Sequence, residues 1–205
     1  MTSRTVAWTV GRTVAAALLI LAVGGSLQIS VGTGVFNPFN FFGYFTIQNN
    51  LIGAAALLIA AHFTGRARPA WVEYLRASAA VYLGIVVTVY WLLLAPLEKT
   101  VWEWTNLLLH LASGIFLLLD WLLEGPRTQL PWKRVWIVLA YPVVWLVVVL
   151  VRGATDGWFP YPFLDPANGY GSIAVVILMI VVAGLAVGSL LFQLTRWRVV
   201  TPAEA

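Results

Sequence analysis

Long apolar runs, broken at intervals by short polar or proline-bearing stretches, dominate the pattern along this chain. A spanning helix needs about 20 mostly apolar residues, and six segments meet that length: 8–31, 41–63, 74–95, 104–123, 132–151 and 170–194. The prolines keep to the same plan. Pro38, Pro69, Pro96, Pro126, Pro160, Pro162 and Pro166 fall in the connections, where a missing backbone donor does no harm. Pro142 alone lies inside a span and predicts a kink there. The pattern predicts an all-α polytopic membrane protein, a bundle of six transmembrane helices forming a single domain over 1–205.

Composition sharpens this. Of 205 residues 61% are hydrophobic and 10% charged, against roughly 25% charged in a soluble domain, and no soluble core absorbs that much apolar surface. A net charge of +4 raises the question of nucleic acid. That partner needs basic residues gathered on one soluble face, whereas here they lie between apolar segments and orient the chain in the bilayer. With a cytoplasmic amino terminus, the inside collects Arg4, Arg12, Arg66, Arg68, Arg76, Arg127, Lys133, Arg134, Arg196 and Arg198, leaving Lys99 and Arg152 outside. The positive-inside rule is then met at every inner connection, and both termini are predicted cytoplasmic. Trp71, Trp102, Trp104, Trp132, Trp158 and Trp197 fall near span ends as interfacial anchors. A rival reading takes 1–25 as a cleaved secretory signal. Its apolar run is longer than an ordinary signal core, and the five remaining helices would put the termini on opposite sides.

The chain has no cysteine and two histidines. Disulfides and thiolate chemistry are excluded, and a catalytic zinc, which takes three protein ligands, is not expected. No cofactor is expected either.

Polar side chains are costly in hydrocarbon, so those inside spans are the first candidates for function. In 41–50, Thr46 and Asn50 are four apart, and Asn49 shares a helical face with Gly53. Packing alone offers a plain account: Thr46 bonds back to its own helix and the asparagines tie helix 2 to a neighbour. In 105–114, Asn106, His110, Ser113 and Gly114 share one face of helix 4. A neutral imidazole there can take a proton near pH 7, or can serve packing only. His62, beside Arg66 at the inner end of helix 2, reads as interfacial. The third place, 158–166, is rich in proline and aromatic residues and includes Tyr161; it reads as a lid or a turn.

Helices 2 and 4 both enter from the outer side. At 1.5 Å per residue, Thr46 falls about 8 Å and His110 about 10 Å below that interface. A threonine hydroxyl becomes a nucleophile when a base within hydrogen-bond reach takes its proton, and Asn50 or Asn106 is placed to orient the imidazole or donate to an oxyanion. A site at this depth suits amphipathic substrates such as lipid esters, whose acyl chains stay in lipid.

At these residues the chain resembles the androgen-induced-gene family, small multipass membrane proteins whose animal members hydrolyse fatty acid esters of hydroxy fatty acids. Three matches carry the resemblance over about two thirds of the chain: Tyr44-Phe45-Thr46, the Asn106 and His110 pair followed by Asp120, and Tyr161-Pro162-Phe163-Leu164 before the last helix. The resemblance implies Thr46 as nucleophile and His110 as base. It is strongest to bacterial relatives, which implies a bacterial plasma membrane; Ile115 stands where helix 4 of animal members carries a proline. The expected activity is intramembrane hydrolysis of lipid esters, with membrane lipids and a fatty-acyl ester as partners, no nucleic acid and no metal. Asn49, Asn50, Asn106, Ser113 and Tyr161 are the candidate substrate or oxyanion residues. The alternatives are a non-enzymatic lipid-binding or transport protein using the same polar pocket, and a scaffold whose polar residues only hold helices together.

Overall fold

The structure, a computed structural model, describes residues 3–97, 103–124 and 128–195. Six helices long and apolar enough to cross a membrane run over Ser3–Gly32 (α1), Phe45–His62 (α2), Ala70–Leu97 (α3), Trp104–Glu124 (α4), Trp132–Thr155 (α5) and Tyr170–Leu194 (α6). The fold is an all-α polytopic bundle, with no strand among the described residues. Lys99, Trp102, Pro126, Arg127, Arg196, Trp197 and Arg198, which enter the orientation and boundary expectations, lie outside them.

Successive helices alternate in direction. Arg12, early in α1, reaches Thr64 just past α2 and Glu124 at the end of α4, while Tyr74, early in α3, packs on Phe192 near the end of α6. One end of the bundle therefore gathers the arginines; it is called the basic end below, and the opposite one the far end. The orientation expected from charge counting would make the basic end cytoplasmic.

The core is built for close approach. Ala54, Ala56, Ala60 and Ala61 of α2 and Ala77, Ala79 and Ala80 of α3 are all buried. A Cβ added at Gly114 of α4 would stand 2.6 Å from Val87 Cγ2 of α3. Small residues at such contacts let helices pack without a hydrophobic driving force between them. Leu19, Leu57, Leu83, Leu117 and Trp121 fill the space that remains. On α5, by contrast, Val143, Val144, Val147, Val148 and Val151 are exposed, as side chains facing lipid must be.

Three local departures from the sequence expectation bear on the site. The helix expected from 41 begins at Phe45, because a separate helical turn, Pro38–Phe41, precedes it. Asn37 caps that turn by accepting from the Phe39 and Asn40 amides, and Pro38 holds its first position. The chain then bends at Gly43, where an added Cβ would sit 2.6 Å from the Trp158 ring. The break expected at Pro142 takes the form of a 3-10 stretch, Trp132–Leu139, ahead of the α-helical Ala140–Thr155. Finally, α3 and α4 each contain a π-helical turn, Tyr90–Leu94 and Leu108–Ala112.

Candidate functional site

Because α2 starts at Phe45, Thr46 lies in its first turn rather than one turn down, and its backbone N–H has no carbonyl partner within the helix. Tyr161, from the α5–α6 connection, fills that role: the Thr46 N–H donates to Tyr161 Oη at 3.3 Å, and Thr46 Oγ1 lies 3.4 Å from the same oxygen. Burial pushes the Tyr161 phenol up to about 12, partly offset by its hydrogen bonds with Thr46. At neutral pH Tyr161 therefore keeps its proton and is able to donate as well as accept. The connection is held down on α2 by Trp158, whose ring meets Tyr44 edge-on at 5.8 Å, and Tyr44 in turn meets Tyr161 at 5.8 Å. The expectation of a lid or a turn resolves as a packed strap across the far end.

His110 sits in the π-helical turn of α4, directly facing that of α3. Its ring stacks on Tyr90 with centroids 3.8 Å apart and planes 17° from parallel. Asn106 Nδ2 donates to Tyr90 Oη, and Trp91 Nε1 donates to the His110 carbonyl at 3.0 Å. The two distorted turns thus pack on each other; single π-helical turns are frequent at functional sites. His110 Nδ1 is 3.2 Å from the Asn106 carbonyl. A carbonyl only accepts, so Nδ1 carries the proton and Nε2 keeps its lone pair, the tautomer that a general base requires.

Thr46, His110 and Tyr161 line one cavity of about 450 Å³ at the far end. Its remaining walls include Tyr90, Ile47 and Leu109, together with the exposed Ile29 of α1 and Leu97 of α3. Thr46 and His110 share no hydrogen bond; the partner of the Thr46 hydroxyl among the described residues is Tyr161. Beyond Thr46 lies a second, apolar cavity of about 90 Å³, walled by Val86 and Val89 of α3, Trp145 of α5 and Ile177 of α6. Thr46, Tyr90 and Tyr161 border both spaces.

The other predicted residues stand behind this wall. Asn50 Nδ2 is occupied twice, by the Thr46 carbonyl at 2.9 Å and the Leu109 carbonyl at 3.1 Å, and so ties α2 to α4. Asn49 Nδ2 bonds back to Phe45 O at 2.7 Å, and Ser113 Oγ to Leu109 O at 2.9 Å. The side-chain oxygens of Asn49 and Asn50 are buried and accept nothing among the described residues. The plain packing account, in which the asparagines tie helix 2 to a neighbour, describes Asn50; Asn49 bonds back within its own helix, and the Thr46 hydroxyl faces Tyr161 instead of its own helix. Tyr90 escaped sequence reading because a tyrosine near a span end looks like an interfacial anchor.

At the basic end the structure holds something else that the sequence reading missed. Arg12, Arg68 and Arg76 turn inward and meet Glu73, Asp120 and Glu124, all six buried. Arg12 bonds Asp120 at 2.6 Å and Glu124 at 2.5 Å. Arg68 bonds Glu124 at 2.7 Å and Glu73 at 3.2 Å, and Arg76 bonds Glu73 at 2.8 Å and Asp120 at 2.7 Å. Asp120, which sequence alone leaves as either a site residue or a helix-end marker, is a member of this cluster. Asp165 caps the turn Pro166–Asn168, accepting from the Ala167 amide at 2.8 Å.

The fold and these contacts define a class: a polytopic α-helical membrane protein with a polar cavity at the far end and a buried, balanced ion cluster at the basic end. Comparison with family models, curated proteins and solved structures finds no match to this chain.

Proposed function

We propose that the protein is an intramembrane hydrolase of lipid esters in which Thr46 is the nucleophile and His110 the base. One observation carries the reading: Thr46 and His110, from separate helices, line the same cavity. Thr46 Oγ1 attacks the ester carbonyl carbon, and its proton passes to His110 Nε2 after rotation of the hydroxyl or across one bridging water, since catalytic hydrogen bonds are often loose before substrate arrives. The C–O bond to the alcohol then breaks, the alcohol leaves with the proton from His110, and water activated by the same imidazole releases the acid from the acyl-threonine. Negative charge on the carbonyl oxygen develops at the positive end of the α2 dipole, beside the Tyr161 hydroxyl. The apolar cavity beyond Thr46 suits the acyl chain. The resemblance to the androgen-induced-gene family points to the same pair of residues and to fatty-acyl esters as substrates, and the mechanism needs no cofactor.

A fluorophosphonate probe applied to the purified protein tests this. Labelling is expected in the native chain and is lost in Thr46→Ala; labelling that survives the substitution removes Thr46 as nucleophile. Lipid that copurifies intact and stays bound in both Thr46→Ala and His110→Ala would favour the lipid-binding alternative.

A further inference from the structure

A separate groove of about 330 Å³ runs between α1 and α4 at the basic end. Gly11 and Ala15 of α1 and Phe116 and Leu119 of α4 wall it, and Arg4 and Trp8 stand at its outer end. It is open at Gly11, where an added Cβ would meet nothing within 4 Å. From Arg4 to Ala15 the helix rises roughly 16 Å, close to half of the roughly 30 Å hydrocarbon core and so to the depth of one leaflet.

Charge is distributed unevenly along this groove. Arg12, its second basic residue, is committed to Asp120 at 2.6 Å and Glu124 at 2.5 Å. The cluster behind it sets three arginines against three carboxylates and sums to zero. Arg4 is exposed and has no ion pair or hydrogen bond among the described residues, so its charge stands uncompensated at the interfacial end. Asp120, the carboxylate that lines the groove, is held by two arginines. A headgroup ammonium would therefore find no partner, whereas an anionic headgroup meets Arg4 uncontested.

We propose that this groove binds one anionic phospholipid, its phosphate paired with Arg4 and one acyl chain lying along Gly11 and Ala15 against Phe116 and Leu119. Trp8, whose ring lies 5.1 Å below the Arg12 guanidinium, would mark the boundary between headgroup and chain, where tryptophan is favoured.

Native mass spectrometry of the detergent-purified full chain, titrated with phosphatidylglycerol, phosphatidylcholine or inorganic phosphate, tests the proposal. One phosphatidylglycerol is expected per chain, bound about fivefold more tightly than phosphatidylcholine, as suits one arginine at a lipid surface. Arg4→Gln should erase that preference. Gly11→Phe, which fills the groove, should remove both lipids while leaving the melting temperature near that of the native chain. Should Gly11→Phe unfold the chain, the exposed Arg4 variant still decides the matter. Retained preference in Arg4→Gln, undiminished lipid binding in a folded Gly11→Phe, or displacement of the lipid by equimolar phosphate would each overturn the proposal.

Discussion

The two polar regions of this bundle use buried hydrogen-bonding groups in opposite ways. At the basic end, charges are gathered and matched: each of the three carboxylates contacts at least two arginines, and Arg12 also donates to the Thr64 hydroxyl at 2.7 Å. The Arg68 Nε alone in this group is buried without a partner. At the far end the groups are neutral and matching is incomplete: two asparagine oxygens are unpaired, and the Thr46 hydroxyl has only a long contact to Tyr161. A satisfied network fixes one packing of the helices, because any alternative strands a charge in low dielectric. An incompletely satisfied one imposes no such constraint, and of its members only Thr46 borders a cavity. The difference suits the cluster to an architectural role and is consistent with the chemistry proposed for the cavity.

Substitution separates the two roles, and the largest effect belongs to the cluster. Arg76 bonds Glu73, Asp120 and Glu124, so Arg76→Ala leaves three carboxylates facing two arginines. Breaking a buried pair from one side costs about 3–5 kcal/mol, and the expected outcome is a large drop in melting temperature in detergent; a melt close to that of the native chain would deny the cluster its structural role. His110→Ala should do the reverse. With the base gone, the proposed ester hydrolysis should fall by roughly 10²–10⁴-fold, while the melt drops less than in Arg76→Ala, because the ring gives up one stack on Tyr90 and one polar contact to its own helix but strands no charge. A variant that unfolds and is inactive in equal measure would place His110 with the cluster instead.

Tyr161→Phe comes next. It removes the acceptor for the Thr46 N–H, and an unpaired, partly buried donor costs about 1 kcal/mol. The pH dependence gives a second handle. In the fold the phenol titrates near 12, above the ordinary tyrosine value, because burial disfavours the phenolate. Folding thus favours the protonated form, and this stabilisation is whole below about pH 10 and lost as pH rises from there toward 12. Melts taken across that window should decline more steeply for the native chain than for Tyr161→Phe; parallel curves would show that Tyr161 does not titrate with folding.

How much of this was legible follows from what the patterns measure. Apolar runs report the spans directly, since a helix that crosses lipid needs its whole length apolar. Thr46 and His110 stand out in the sequence because polar groups inside a span are anomalous, and Tyr161 because it sits in a proline- and aromatic-rich connection. The ion cluster stayed hidden because counting Arg12, Arg68 and Arg76 toward orientation says nothing of which way their side chains turn. A signal was present: Glu73 and Arg76 lie three apart, and Asp120 and Glu124 four apart, each pair on one helical face at the same end of the bundle. The separate turn ahead of α2 is hard to read for a related reason. Phe39, Phe41 and Phe42 continue the apolar run, and only Asn37-Pro38 marks the separate turn.

The smallest expected effect tests whether burial, rather than charge pairing as such, sets the contrast. Arg152 and Asp156 form an ion pair at the far end at 2.8 Å, the same chemistry and nearly the same distance as in the cluster, but the Asp156 side chain is 48% exposed. The hydrogen bond from Arg152 holds the Asp156 carboxyl below the usual carboxylate range. Its contribution to stability is therefore present above about pH 4 and lost as pH falls through the lower folded value. Asp156→Asn should nonetheless shift the melt by no more than the scatter of replicates at pH 7, because exposed pairs are screened by solvent. Arg152 would stay in place, held by the Asn40 side chain at 2.7 Å, the Phe39 carbonyl at 3.2 Å and the Trp158 ring at 4.1 Å. A shift approaching that of Arg76→Ala would mean that the strap across the far end is stabilised by charge as the cluster is, and the division of the bundle into an architectural end and a chemical end would fall.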